Sequence, residues 1–322
     1  MELRTLNMFV LLLASIVLVP VEVSAAWPEK SIRVIIPWAP GGSTDIVGRL
    51  TAAELTRRLK QQVIIDNRAG AGGIVGMQIA AQQPPDGYTF MLTSTGYGYL
   101  IYKSNPPVDL VKSFAPVALL GFGDSALVVH PSLPVKSVKE LIALAKAKPG
   151  ALNYASSGMG GFPHMNTELF KLKTGINIVH VPFQGGGPAV ADVVAGNTQI
   201  HLGSLTSEMS QIRSGRLRIL AIGGKKRNPN FPDVPTISEA GVPGYQTSIW
   251  WGMFAPRGTP SDIIARMHDE TVSVLEAPEM LKKLDVQGAV PEKMSSAEFG
   301  KLMEAETAKW SEVIDAAGMK QE

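Results

Sequence analysis

"PWAPGGSTDIVGR", residues 37–49, sets Pro40, Gly41, Gly42 and a hydroxyl directly ahead of an amphipathic run. Before it lies "SIRVII", residues 31–36, a short apolar run of the kind that forms a buried strand. After it, Ile46, Leu50 and Ala53 recur at helical spacing. The stretch therefore reads as a strand, a glycine turn and the start of a helix. A helix start presents unpaired N–H groups and the positive end of the helix dipole, and so favours anions. The plain alternative is a tight βα turn with Ser43 or Thr44 as N-cap. A backbone this bare raises the question of what it approaches.

Working outward, the same order of strand, small-residue turn and helix recurs at "NYASSGMGGFPH" (153–164), "PFQGGGPAVAD" (182–192) and "LGSLTSEM" (202–209). Strand-like runs fall at 32–37, 63–66, 89–93, 117–121, 126–130, 152–155, 178–182, 199–203, 217–222 and 249–254. Helical runs such as "SVKELIALAKAK" (137–148) separate most of them. Continuous apolar strands with helical crossovers indicate an α/β protein with parallel-rich sheets covered by helices. The tail from Pro260 to Met319 reads as helical, with Pro291 separating two pieces. Ligands of open α/β sheets sit at the carboxyl ends of strands. The four turns are thus expected to point their helix starts into one crevice, with Ser94 and Ser204 at strand ends beside them.

The first residues speak to the compartment. Arg4 precedes an apolar run from Met8 to Val19, closed by Pro20 and "VSAA". This has the form of a secretory signal peptide over residues 1–26, cut near Ala25 or Ala26, and is short for a membrane span. Without it the chain keeps 29 basic and 26 acidic residues, an excess too small and dispersed to imply nucleic acid. There is no cysteine, and nearly 300 residues bury a large core without disulfides. That length favours two domains.

Much chemistry is excluded. No P-loop, G-x-S-x-G or S-x-x-K motif occurs, and the relaxed glycine fingerprint at 121–126 runs into a strand rather than a helix. His164 and Glu168 stand four apart on a helix, but no third ligand accompanies them, so a structural role is expected and no metal. His180 and His201 lie in apolar strands and are expected to be satisfied near strand ends.

Eight stretches in fixed order carry a resemblance: "WPEKSIRVIIPWAPGGSTDIVGR", "VIIDNRAGAGGIVG", "PPDGYTFML", "YASSGMGG", "HMNTELF", "VPFQGGGPAVADVVAG", "RILAIGGKKRNPNFPDVPTISEAGVPG" and "WWGMFAPRGTP". Over nearly its whole mature length the chain resembles the periplasmic receptors of tripartite tricarboxylate transporters, the Bug family. The resemblance implies a two-domain, type II periplasmic-binding fold that closes on a small carboxylate and serves a membrane permease, with no cofactor. Two loops would grip the carboxylate, Pro40 to Asp45 and Ser156 to Gly161, the latter including Ser157, Gly158 and Gly160. Asp192, in the turn that holds Gly186, would meet its distal group. Gly161 and Phe162 stand where the family often has a Thr or Ser, Phe183 where it has Tyr, and Trp38 where Phe is frequent. These departures tilt the expected ligand toward an aromatic or less polar acid, unless the rings only pack the cleft wall. His164 belongs to the same candidate set. The expected domains are 27–125 plus 250–322, and 126–249 between them, in a monomer. An exported α/β hydrolase is the competing class, but neither nucleophile nor base can be assigned to it.

Overall fold

The computed structural model describes residues 27–95, 107–316 and 318. The signal-peptide segment and Met319 lie outside the described residues. The first half runs β1 (Ile32–Ile36), α1 (Ser43–Leu59), β2 (Val63–Asn67), α2 (Ile74–Ala81), β3 (Thr89–Ser94) and α3 (Leu110–Ser113). Then follow β4 (Phe114–Val129), α4 (Val138–Ala147), β5 (Asn153–Ser156), α5 (Phe162–Thr174), β6 (Val179–Pro182), α6 (Gly186–Ala195), β7 (Ile200–Ser204), α7 (Leu205–Arg213) and β8 (Arg218–Ile222). The chain returns through β9 (Ser248–Pro256) and ends in α8 (Ser261–Leu275), α9 (Pro278–Val286), β10 (Ala289–Val290) and α10 (Ser296–Ala316).

The strands lie in the order β2-β1-β3-β9-β4-β7-β5-β6, with β8 and β10 also on β4. Residues 114–124 of β4 pair with β9, and residues 125–129 pair with β7 and β8. One strand therefore belongs to the sheets of both lobes. The sequence reading of two strands, 117–121 and 126–130, is corrected here: they are one strand of 16 residues. The intervening "GFGD" does not break it, because its glycines serve close approach rather than a turn. A Cβ at Gly121, whose φ is +143°, would collide with the Val290 carbonyl of β10. A Cβ at Gly123 would run into the Trp251 ring.

Parallel pairing joins β1 to β2 and β3, and β5 to β6 and β7, the strands linked by helical crossovers. The pairs that β4 makes, and β3 with β9, run antiparallel, because the chain leaves one lobe and re-enters it along neighbouring strands. The C-terminal tail has an extra break before Pro278, and β10 precedes Pro291, so it holds three helices rather than two.

Apolar burial follows the lobes. Ile35, Phe90, Trp251, Phe254, Phe299 and Trp310 share one core, which also takes in Phe162 and Met165 from α5. Tyr154, Phe170, Leu202 and Tyr245 fill one face of the second lobe's sheet, and Val128, Val190 and Leu205 the other. At the seam, Ser125 and Thr247 bond hydroxyl to hydroxyl at 2.6 Å. Phe299 of α10 lies edge-on to Trp250, with centroids 5.6 Å apart, over the bare backbone of Gly252. Phe299→Ala removes a wholly buried ring from the face that carries β9. It should cost about 3–5 kcal/mol, read as a lowered urea midpoint at unchanged slope.

Candidate functional site

Helix α4, away from the cleft, closes its first turn with a side-chain cap: Ser137 Oγ accepts from Glu140 N at 3.2 Å, and Glu140 reaches back to Lys136 N at 2.6 Å. Helices α1, α5, α6 and α7 do not. Their N-caps are Gly42, Gly161, Gly185 and Ser204, and none makes a side-chain cap bond. All four helix starts face one cleft. Ile36, Trp38, Ala39, residues 42–45, Ser94 and Ile249 line it from the first lobe. Ser157, Phe162, Pro163, Gly186, His201, Ser204 and Ser207 line it from the second. No Lys or Arg is among these lining residues.

The first intrahelical bond of α1 runs from Ile46 N to Gly42 O at 3.0 Å, so the N–H groups of Ser43, Thr44 and Asp45 precede the helix ladder. Ser43 is not the cap that sequence allowed. It sits in the first turn, where its oxygen accepts from Trp251 Nε1 at 3.2 Å and its hydroxyl proton stays free to donate. Asp45 braces the turn: its carboxylate takes Gly41 N at 3.0 Å, Arg49 Nε at 3.0 Å and Asn67 Nδ2 at 3.1 Å. That engagement neutralises a carboxylate that would otherwise repel an anion.

The bare turn approaches other bare backbone. Ala39 N donates to Gln184 O at 2.9 Å across the cleft. A Cβ on Gly42 would touch Gly186 N at 3.4 Å, and one on Gly187 would collide with Pro40 O. Gly158, at φ +117°, meets Gly72 in the same manner, a Cβ there falling 3.3 Å from Gly72 Cα. Pro40 and Gly41 lie on the back of the turn, in a neighbouring groove.

Beneath the second loop stands a column of rings. His180 stacks on Tyr154 at 4.9 Å and on His164 at 4.1 Å, each pair inclined by 16°. Ser156, wholly buried and absent from the cleft lining, bonds His180 Nε2 at 2.5 Å and takes Gly158 N at 3.1 Å. Gly160 N donates to His164 Nδ1 at 3.1 Å. These bonds hold Gly158, Gly160 and Gly161 as backbone, not as side-chain ligands. Burial lowers His164 to about 4; burial and the adjoining His164 lower His180 to about 3. Ser156 is wholly buried outside the cleft lining, and so weak a base is poorly matched to activating it near neutral pH. Glu168 is taken by Tyr154 Oη at 2.6 Å and Lys171 Nζ at 2.8 Å, and the described residues hold no group of three or more metal-ligating side chains.

The departures from the family pattern find places. Trp38 and Phe162 line the cleft, Trp38 lying over Gly73 with its Nε1 free of any protein partner. A Cβ at Gly161 would collide with Ser157 Oγ, so the missing side chain at 161 makes room for the hydroxyl at 157. Phe183 instead packs half-buried on the second lobe's core. Asp192 sits at the far end of α6, accepting from Thr198 Oγ1 at 2.7 Å and Asn197 Nδ2 at 2.9 Å, and does not line the cleft. Sequence reasoning missed Ile36, Ala39, Pro163, Ser207 and Ile249 among the lining residues, while Thr44 falls within the expected loop from Pro40 to Asp45. It also misjudged His201. This ring lines the cleft wholly buried, bonded through Nδ1 to Glu208 and without a partner at Nε2. Strand and helix pattern gave no hint that a β7 side chain and an α7 side chain seven residues on would meet.

Two α/β lobes on a shared strand, closing over a cleft of helix starts, define a binding protein. Residues 47–319 match the model of the tripartite tricarboxylate transporter family receptor, and the chain belongs to that family. It is a solute receptor and not an enzyme. It is 35% identical over 297 residues to protein BugT of Bordetella pertussis, covering 91% of each chain. Among solved structures it resembles R. palustris Rpa4515 with adipate (TM-score 0.88, 35% identity, 91% of this chain and 98% of that one). It also resembles MatC from Rhodopseudomonas palustris with bound malate (TM-score 0.85, 31% identity, 89% and 100%). No helix among the described residues is long and apolar enough to cross a membrane.

The ring column sets an acid limit. His164 and His180 are depressed in the fold, so the unfolded chain binds more protons below its ordinary histidine range near 6.5. Their contribution is complete above about pH 6.5 and drains away as pH falls toward about 4 and then about 3. Urea midpoints should decline from pH 7 to pH 5, and His180→Gln should flatten that slope.

Proposed function

We propose that this chain captures a small carboxylate in the cleft and hands it to a membrane permease of the tripartite tricarboxylate type. The observation that carries the reading is the set of four uncapped helix starts on one cleft whose lining holds no Lys or Arg. Backbone N–H groups and hydroxyls are the donors available, with Ser43 and Ser157 foremost among the hydroxyls. Ser156 is spent on His180 and shapes the loop instead. Hydrogen bonds to a charged group contribute about 1.5–3 kcal/mol each, and a helix end adds roughly 0.3–1 kcal/mol. Four such bonds at the upper end of that range, with four helix ends, total about 16 kcal/mol, which reaches micromolar binding without a cation when association costs no more than about 8 kcal/mol. That adipate and malate occupy two structural relatives supports the carboxylate class. Trp38, Phe162, Pro163 and Ile249 in the wall favour an acid with an apolar or aromatic body.

Closure is a hinge motion in this reading. The domain division proposed is 27–125 plus 250–322 against 126–249, and the passage of β4 between sheets at Asp124 and Ser125 supports it. The protein works as an exported monomer in the periplasm, after loss of residues 1–26.

A panel of carboxylates in a thermal-shift assay tests the class: at least one acid should raise the melting temperature, whereas esters and amides should not be turned over. Gly42→Val puts branched carbons between the α1 start and Gly186, and should weaken binding of that acid at least tenfold, about 1.4 kcal/mol. Gly187→Ala should do the same by blocking the approach of Pro40, with circular dichroism unchanged for both variants. Wild-type affinity in Gly42→Val, with loss on neutralising a remote Lys or Arg, would refute the helix-start reading.

A further inference from the structure

His201 and Glu208 are left over once the α1 cradle is accounted for. Both are wholly buried, and they are bonded to each other through Nδ1 and Oε1. The pair fits because position 203 is bare: a Cβ there would collide with the His201 ring. The imidazole lines the cleft, and its Nε2 has no protein partner. The same holds for Ser204 Oγ, on a residue that is 4% exposed and also lines the cleft. Glu208 Oε2 and Thr206 Oγ1, in the same βα turn, are likewise unpartnered. Buried polar side chains are nearly always bonded, so four such atoms in one turn need a reason.

Proton counting gives the character of the pair. Burial raises the Glu208 carboxyl above its ordinary range. A lone negative charge in this interior is costly. A neutral pair with one proton between Nδ1 and Oε1 carries its second proton on Nε2 or on Oε2, the two unpartnered atoms. Of the two, only Nε2 belongs to a side chain that lines the cleft, and a proton there gives an anion a donor.

We propose that His201 Nε2–H and the Ser204 hydroxyl form a second anchor, which takes the far carboxylate of a two-ended acid whose near carboxylate sits at the start of α1. Glu208 is a positioning residue that fixes the ring and its proton. The apolar faces of Trp38, Phe162 and Ile249 cover the spine between the two ends. The inference rests on the carboxylate reading of the cleft.

The test is calorimetric titration at pH 7 of adipate against hexanoate, glutarate against pentanoate, and benzene-1,4-dicarboxylate against benzoate. At least one two-ended acid should bind about tenfold or more tighter than its one-ended partner. Because His201→Leu alone strands Glu208, the variant is the double His201→Leu/Glu208→Met, which removes both polar groups together. It should erase that preference while one-ended acids bind within about twofold of wild type. In ring-labelled histidine spectra of the free protein, the resonances lost in the double variant should show a protonated Nε2. Equal binding of both kinds of acid, a preference that survives the double variant, equal loss of both kinds, or an unprotonated Nε2 would each overturn the anchor while leaving the carboxylate reading intact. Binding of no acid at all would overturn that reading, and the anchor with it.

Discussion

A single strand shared by two sheets is the constraint from which the rest of this molecule follows. β4 enters the first lobe at Phe114 and leaves the second at Val129, with no loop between. Hydrogen bonds on either side hold it, to β9 below Ser125 and to β7 and β8 above. The strand ties the two lobes together through its pairing in both sheets. Their helix starts are therefore presented to each other at a fixed height, which is where the cleft forms. The hydroxyl bond between Ser125 and Thr247 clamps the outgoing and returning chains at the same level.

Helix starts without caps are ordinarily a cost, since each leaves N–H groups unsatisfied. Here they are grouped so that one guest can satisfy several at once. α4, whose Ser137 and Glu140 close the turn reciprocally, needs no guest for those groups. The glycines serve the same end from the other direction. They let Pro40 and Gly187, and Gly72 and Gly158, come within van der Waals reach, so that two backbones meet where side chains would hold the lobes open.

Much of this was legible in the sequence, and the exceptions have physical causes. The turn at 37–49 reads correctly as strand, glycine turn and helix start, because periodicity and glycine placement are local properties. The other three turns follow by recurrence, and their convergence follows from where strands end in α/β sheets. The fusion of β4 was not legible, since Gly121 and Gly123 look like a break until Val290 and Trp251 are seen against them. His201 escaped for a similar reason: its partner Glu208 lies across a βα turn, and only the fold brings the two together. Asp192 illustrates the reverse, a polar residue near a glycine turn that is consumed by its own helix end.

The lining without Lys or Arg bears on how a solute arrives, as distinct from how it is held. A fixed cation projects a field over about a Debye length, whereas a helix end acts only across its last turn. The lining itself therefore supplies no long-range pull on an approaching anion. Selection then happens at contact, after water is shed.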